Sequence, residues 1–300
     1  AASRMPSDER RARWLEPLPT VELASRLRRV PLFDYVSVDE LFRFAGTARQ
    51  VRYDRGRTVY QAGLEPDTLQ FLIDGEVRFE DGARMVAPGP LAFEEILEGR
   101  PLRTGVHAVD VAVTLSLTQG EFLTLVSDNI DIAHGLFKLL IDAHGGAGWK
   151  GVVHGRLPEA SARRATDGLQ PMERVLLLQG SPLMAGATRG QLLRLAAIAR
   201  EVPLVPGTAL VRESDDPAIY VVVRGALSVE APGAAPLAAQ PGDAVGIYET
   251  LTDVRAEADV MVSEAGTALR LDGRDLFDLL ADHVDLVQGL FSALLRSGPA

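Results

Sequence analysis

DNIDIAHGLF at residues 128–137 returns as DHVDLVQGLF at residues 282–291, an offset of 282 − 128 = 154. Each copy sets apolar residues at helical spacing behind an acidic start, so the pair predicts one amphipathic helix used twice. Working outward, the echo continues through the chain. Val30-Pro31-Leu32-Phe33 is answered by Ser181-Pro182-Leu183-Met184, and the stripe Leu41, Phe44, Ala45, Ala48 by Leu192, Leu195, Ala196, Ala199. Arg49-Gln50-Val51 and Arg200-Glu201-Val202 follow, each leading to a turn glycine, Gly56 or Gly207. Leu72-Ile73-Asp74-Gly75-Glu76-Val77 faces Val222-Val223-Arg224-Gly225-Ala226-Leu227, two apolar runs interrupted by glycine. Pro88-Gly89 meets Pro241-Gly242 after an insertion around APGAAP, a hairpin tip where added residues cost little.

Two copies of one domain therefore fill the chain: a polar lead at 1–23, a first domain at 24–143, a linker at 144–171 and a second domain at 172–300. In the first copy the strand candidates are Gln50 to Tyr53, Thr58 to Ala62, Thr68 to Ile73, Glu76 to Glu80, Arg84 to Ala87, Gly105 to Val109 and Val111 to Leu117. Short strands with frequent Gly and Pro turns predict a small β-barrel or jelly roll, with Gln119 to Val126 and Asn129 to Ile141 as flanking helices. The fold class is mainly β with flanking α-helices. The segment from His144 to Pro171 is rich in Gly, Ala, Arg and Pro and lacks an apolar period, which is the composition of a linker.

Composition narrows the function classes. A hydrophobic share of 47% with 24% charged residues is that of a chain able to bury a core. The formal charge of −10 gives no basic footprint for a nucleic acid. The absence of cysteine excludes disulfides, thiolate metal sites and cysteine nucleophiles. No apolar run approaches the length of a membrane span and the start is not a signal peptide, so direct membrane insertion is not expected and the expected location is cytoplasmic. GGAGWKG at 145–151 lacks the Lys-Ser/Thr end of a phosphate loop, and His107, His134, His144, His154 and His283 show no ligand spacing. Asp128 and Asp282 read as helix caps, with Asp131 and Asp285 in first turns. No nucleophile elbow or zincin motif is present, and an enzyme is not expected.

The order RVPLF, a helix ending in Ala-x-x-Ala-Arg, the turn-strand RYDRGRTVYQAG, a strand with Gly75 before Val77 and then Pro88-Gly89 resembles the cyclic nucleotide-binding domain family. The likeness covers about residues 24–141 and again 173–296. Tandem copies are also similar to the C-terminal regions of bacterial proteins in which such domains follow nucleotide-translocase-like transporters or helical repeats. The resemblance implies a ligand cassette of the form Phe-Gly-Glu-hydrophobic-Ala-Leu, then a loop and Pro-Arg-small-Ala. There a glutamate takes the ribose hydroxyl and an arginine the cyclic phosphate.

Carried onto the first copy, Phe93 is followed by Glu94 at the glycine position. Glu94 or Glu95 becomes the sugar acceptor, and Arg103 follows Pro101 one position late. In the second copy Gly246 keeps the glycine, Ile247 stands where the glutamate belongs, Glu249 comes two later and Arg255 is displaced. Two readings stay open for these residues: a site for a cyclic nucleotide or another anion, or solvated and locally paired loop charges. No cofactor is expected. The helix Asn129 to Ile141 and its copy, with Ile132, Leu136, Phe137 and Leu140, are expected to pack on the barrel and are the candidate carriers of a homodimer or partner surface, and a fused or associated membrane protein is the implied partner.

Overall fold

The computed structural model describes residues 18–33, 36–144, 149, 151–156, 168–184, 187–211, 216–231, 233, 235–254 and 258–296. The chain divides into two compact units, Ala1–Gly135 and Leu136–Ala300. Both are β-rich antiparallel structures with flanking helices, as the turn spacing predicts.

In the first unit, helix α1 (Thr20–Leu27) and a 3-10 turn at Pro31–Phe33 lead to α2 (Val38–Thr47). The Ser37 hydroxyl caps α2 by accepting the Glu40 amide at 3.3 Å. Eight strands follow: β1 (Arg49–Tyr53), β2 (Thr58–Tyr60), β3 (Thr68–Asp74), β4 (Glu76–Phe79), β5 (Arg84–Val86), β6 (Gly89–Leu91), β7 (Val106–Ala108) and β8 (Ala112–Thr118). They form two four-stranded sheets, ordered β1-β8-β3-β6 and β2-β7-β4-β5. Helix α3 (Phe93–Glu98) sits between β6 and β7, and α4 (Gln119–Ser127) follows β8. Helix α5 (Ile130–His144) begins in the first unit, and its later residues belong to the second.

The chain passes from one sheet to the other at Gly75, whose φ of +91° belongs to the left-handed region. A side chain there would meet the carbonyl of Val111 and lie 2.8 Å from the Ala112 Cα, so glycine is required twice over. Alternation along β3 then divides the core. Leu72 faces the barrel interior with Tyr60, Val77, Leu91, Leu102, Val106, Ala108 and Ala112. Phe71 faces the helices, with ring centroids 5.2 Å from Phe33, 5.4 Å from Phe44 and 6.4 Å from Phe122.

In the second unit, β9 (Val152–Val153) precedes α6 (Pro171–Gln179), a 3-10 turn at Pro182–Met184 and α7 (Arg189–Ile198). Next come β10 (Arg200–Leu204), β11 (Ala209–Val211), β12 (Ala218–Glu230), β13 (Leu237–Ala239), β14 (Ala244–Val245), α8 (Ile247–Thr252) and β15 (Asp259–Asp272). Helices α9 (Gly273–Asp282) and α10 (Val284–Arg296) close the unit. Strands β12 and β15 run 13 and 14 residues and each does the work of two strands in the first unit, with register shifts around Gly225 marking the bend.

Several expectations are sharpened. Within 144–171, Trp149 is buried, Val152–Val153 pairs with Ala244–Val245, and the Arg156 amide donates to the Gly180 carbonyl at 2.9 Å. Helix α1 straddles the sequence boundary at residue 23; its two turns are too short to show a stripe, but Leu23, Ala24 and Leu27 are buried. Asp128 closes α4 instead of opening α5, and Asn129 is the cap, its Oδ1 accepting the Ile132 amide at 3.0 Å. Asp282 likewise ends α9. Ile132, Leu136, Phe137 and Leu140 are all buried, as expected of the packing face of that helix; Phe137 lies 4.8 Å from Phe291 and 6.1 Å from Phe277. Among the described residues no helix is long and apolar enough to cross a membrane.

Candidate functional site

The candidate loop is built on β6, whose Leu91 pairs with Gln70, Pro90 with Phe71 and Gly89 with Leu72. The chain leaves β6 through Ala92, held left-handed at φ +57°, and enters the six residues of α3. A second left-handed residue, Gly99, ends that helix. Its apolar underside anchors it: Phe93, Ile96 and Leu97 are buried, and Phe93 makes an edge contact with Phe122 at 5.8 Å. The Gln119 amide group donates to the Ile96 carbonyl at 2.6 Å and ties the helix end to α4.

The second copy repeats this geometry. Gly246 is left-handed at φ +80°, α8 has six residues, and left-handed Asp253 ends it. Val245 pairs with Tyr220 as Leu91 pairs with Gln70. This resets the register read from sequence. The counterpart of Gly246 is Ala92, not Glu94, and Gly89 aligns with Asp243, so the two Pro-Gly pairs are one residue out of step. The glutamate position of the implied cassette then falls on Phe93 and Ile247, both buried and apolar. Glu95 and Glu249 are true counterparts, each in the first turn of its helix.

The acids of the first loop already have a partner that sequence reasoning missed. Arg100 lies 3.5 Å from Glu94 and 3.4 Å from Glu95, and its Nε donates to Glu98. Burial works to lower the Arg100 guanidinium, but the hydrogen bond to Glu98 and the fields of Glu95, Glu98 and Glu94 outweigh it and hold the group above its ordinary value. Three carboxylates thus share one guanidinium. The signal lay in the sequence: Gly99 turns the chain back so that the next residue returns over the helix it has left.

Arg103 is not brought to this cluster. It is exposed and makes no ion pair among the described residues, while its neighbour Leu102 is buried with the barrel interior. The Leu102 amide and carbonyl are pinned to Leu64 and Gly63 at 3.0 and 2.9 Å, which fixes which of the two side chains points inward. Arg255 lies outside the described residues.

The barrel interior of the first unit carries one polar trio. Gln70 Oε1 accepts the Tyr53 hydroxyl at 2.9 Å and the Thr114 hydroxyl at 2.7 Å. The Tyr60 hydroxyl donates to the Thr68 carbonyl at 2.6 Å, and burial pushes that phenol far up from its ordinary value. In the second unit a cleft of about 800 Å³ is lined by Arg174, Arg200, Glu201 and Asp275, whose charges are matched internally: Arg174 to Glu201 at 3.1 Å and Arg200 to Asp275 at 2.8 Å. Among the described residues no group of three His, Asp or Glu is arranged to hold a metal ion.

No family model matches the chain. Among curated proteins it is similar to two Drosophila melanogaster products, both described as cGMP-dependent protein kinase, isozyme 2. Each is 26% identical over 125 residues, which is 38% of this chain and 13% or 12% of the relative. The match thus spans a small part of either kinase. Among solved structures, the regulatory subunit of a cAMP-independent protein kinase A from Trypanosoma brucei is 17% identical, with a TM-score of 0.35 over 89% of this chain and 92% of that one. The regulatory domain of Toxoplasma gondii PKA, crystallised with cAMP, is 16% identical, with a TM-score of 0.33 over 89% and 94%. The Thermus thermophilus Catabolite Activator Protein is 20% identical, with a TM-score of 0.35 over 38% and 57%.

Proposed function

We propose that this chain is a non-enzymatic regulatory or scaffolding module made of two cyclic-nucleotide-domain-like units, 24–143 and 172–300, which bind cyclic nucleotides weakly or not at all. It acts through domain or partner contacts. The observation that carries the reading is the apolar character of the implied ligand positions in both copies. A cyclic phosphate entering there meets buried apolar side chains at the positions where the implied cassette has its hydrogen-bonding groups. The implied sugar acceptor is Phe93 in one copy and Ile247 in the other, and the implied phosphate-binding arginine is replaced by buried Leu102. Each substitution removes a hydrogen bond that a desolvated ligand needs.

Isothermal titration of the full chain with cyclic AMP and cyclic GMP tests this. The expected result is a dissociation constant of about 1 mM or weaker for both, corresponding to no more than about 4 kcal/mol of binding. Micromolar binding that Arg103→Ala abolishes would overturn the proposal and install a small-molecule sensor in the first domain.

A further inference from the structure

Directly opposed residues on antiparallel strands put their side chains on one face, about 5 Å apart. Across the sheet β2-β7-β4-β5, one such row reads Thr58, His107, Arg78, Arg84: Thr58 is registered with His107, His107 with Arg78, and Arg78 with Arg84. The row faces outward, since Val77 beside Arg78 and Val106 beside His107 are buried. Arg55 joins it from the turn before β2. That turn is held against β7 by the Gly56 amide on the Ala108 carbonyl at 2.8 Å and the Ala108 amide on the Arg57 carbonyl at 2.9 Å. Arg55, Arg78, Arg84 and His107 together line a concavity of about 400 Å³, with Gly56, Ala108 and Val109 completing its wall.

The charges are not balanced. Arg84 pairs with Glu76 at 3.0 Å and His107 with Glu80 at 3.3 Å, but Arg55 and Arg78 have no ion-pair partner among the described residues. Like charges directly opposite each other destabilise a sheet, and the Arg78–Arg84 pair is such a case. The fold does not demand it. The same row in the second copy reads Ala209, Met261, Ser228, Ala238, with Pro206 standing where Arg55 stands. A chain of net charge −10 thus concentrates guanidinium groups at one concave place where its own duplicate has none.

We infer that this concavity is a binding site for a small, multiply charged phosphate anion of the di- or triphosphate type. Two uncompensated guanidinium groups present forks suited to phosphate oxygens, with Arg84 and His107 beside them. The volume is that of a small-ligand pocket. The net charge of the chain opposes an extended polyanionic surface and so favours a compact free anion. None of Glu94, Glu95 or Arg103 lines the site, so it stands apart from the α3 loop.

Calorimetric titration of the full chain with inorganic tripolyphosphate at low ionic strength tests the assignment. The expected result is saturable binding that Arg78→Ser, the residue of the second copy, weakens about ten-fold or more, with Arg55→Ala acting likewise and Arg103→Ala without effect. Circular dichroism verifies that the variants are folded. Absence of saturable binding, equal affinity for the Arg78→Ser protein, or loss of binding only in Arg103→Ala would overturn it. So would sedimentation with phosphatidylcholine vesicles carrying a phosphoinositide when free tripolyphosphate does not bind, since that assigns the row to a lipid headgroup.

Discussion

The two copies share a backbone plan and fill it with different side chains. On the helix side of the first sheet, Phe33, Phe44, Phe71, Phe93 and Phe122 pack as rings; their counterparts in the second copy are Met184, Leu195, Val221, Ile247 and Leu276, all buried. In the barrel interior, Tyr53, Gln70 and Thr114 form a hydrogen-bonded trio, while Leu204, Tyr220 and Ala268 fill the same places in the apolar cluster of the second unit. The comparison teaches that this fold asks for volume and period at each site, and that a core is solved as a set of matched partners instead of position by position.

Exchanging single residues between the copies is the most direct way to break that view. Phe71→Val puts the second copy's residue into a ring cluster and leaves a cavity, with an expected loss of about 3 kcal/mol in denaturant unfolding. The reverse change, Val221→Phe, overpacks an aliphatic layer and is expected to cost about 1–3 kcal/mol. If either exchange is neutral, the cores are not matched sets.

The left-handed residues before α3 and α8 sharpen the comparison next. A side chain on Gly246 would run into the carbonyl of Ala218, so Gly246→Ala is expected to cost about 2–3 kcal/mol. Ala92 already tolerates the same conformation in the first copy, and Ala92→Gly is expected to stabilise by about 1 kcal/mol by relieving left-handed strain. Opposite signs at structurally equivalent positions would be the signature of the reset register; equal signs would refute it.

The polar trio gives an effect of intermediate size. Gln70→Leu strands the buried Thr114 hydroxyl and the half-buried Tyr53 hydroxyl and is expected to cost about 2 kcal/mol. Replacing all three members by the second copy's residues, as Tyr53→Leu, Gln70→Tyr and Thr114→Ala, should recover most of that loss, because no donor is then left without an acceptor.

The smallest expected difference is in acid. Helix α4 starts with a capping box in which Glu121 accepts the Thr118 amide and hydroxyl, and those bonds hold its carboxyl below the ordinary value; α9 starts at Asp272 with no side-chain cap. The Glu121 contribution is complete above the unfolded carboxylate pKa of about 4.3 and is lost as pH falls through the lowered folded value. Amide exchange in the first turn of α4 should therefore accelerate at acid pH more than in the first turn of α9. Glu80, lowered by the Gly105 amide and by His107, should add to the acid sensitivity of the first unit in the same direction.

Much of the fold was legible in advance. The strand candidates of the first copy fall within two residues of the observed strands wherever turn glycines and alternation coincide, as at Thr68–Asp74 and Ala112–Thr118. The three-residue strand Gly89–Leu91 was not read as one, because its Gly-Pro-Leu carries no alternation and exists by pairing with Gln70 to Leu72. The candidate site was legible only as a place. Glu94 and Glu95 were found, but their partner Arg100 was passed over for Arg103, since the sequence shows spacing and not which way a loop returns.

The sequence by itself determined that the chain is a duplicated, acidic, mainly β protein without cysteine chemistry, because repeats, periodicity and composition are local properties. Only the tertiary structure decided which residues face one another. It placed Ala92 opposite Gly246 in the alignment of the copies, turned Leu102 inward and Arg103 outward, gathered three acids on Arg100, and lined His107, Arg78 and Arg84 across one sheet. Strand register is fixed by hydrogen bonds between residues far apart in the chain, and a slip of a single residue reverses the face on which every side chain of a strand appears.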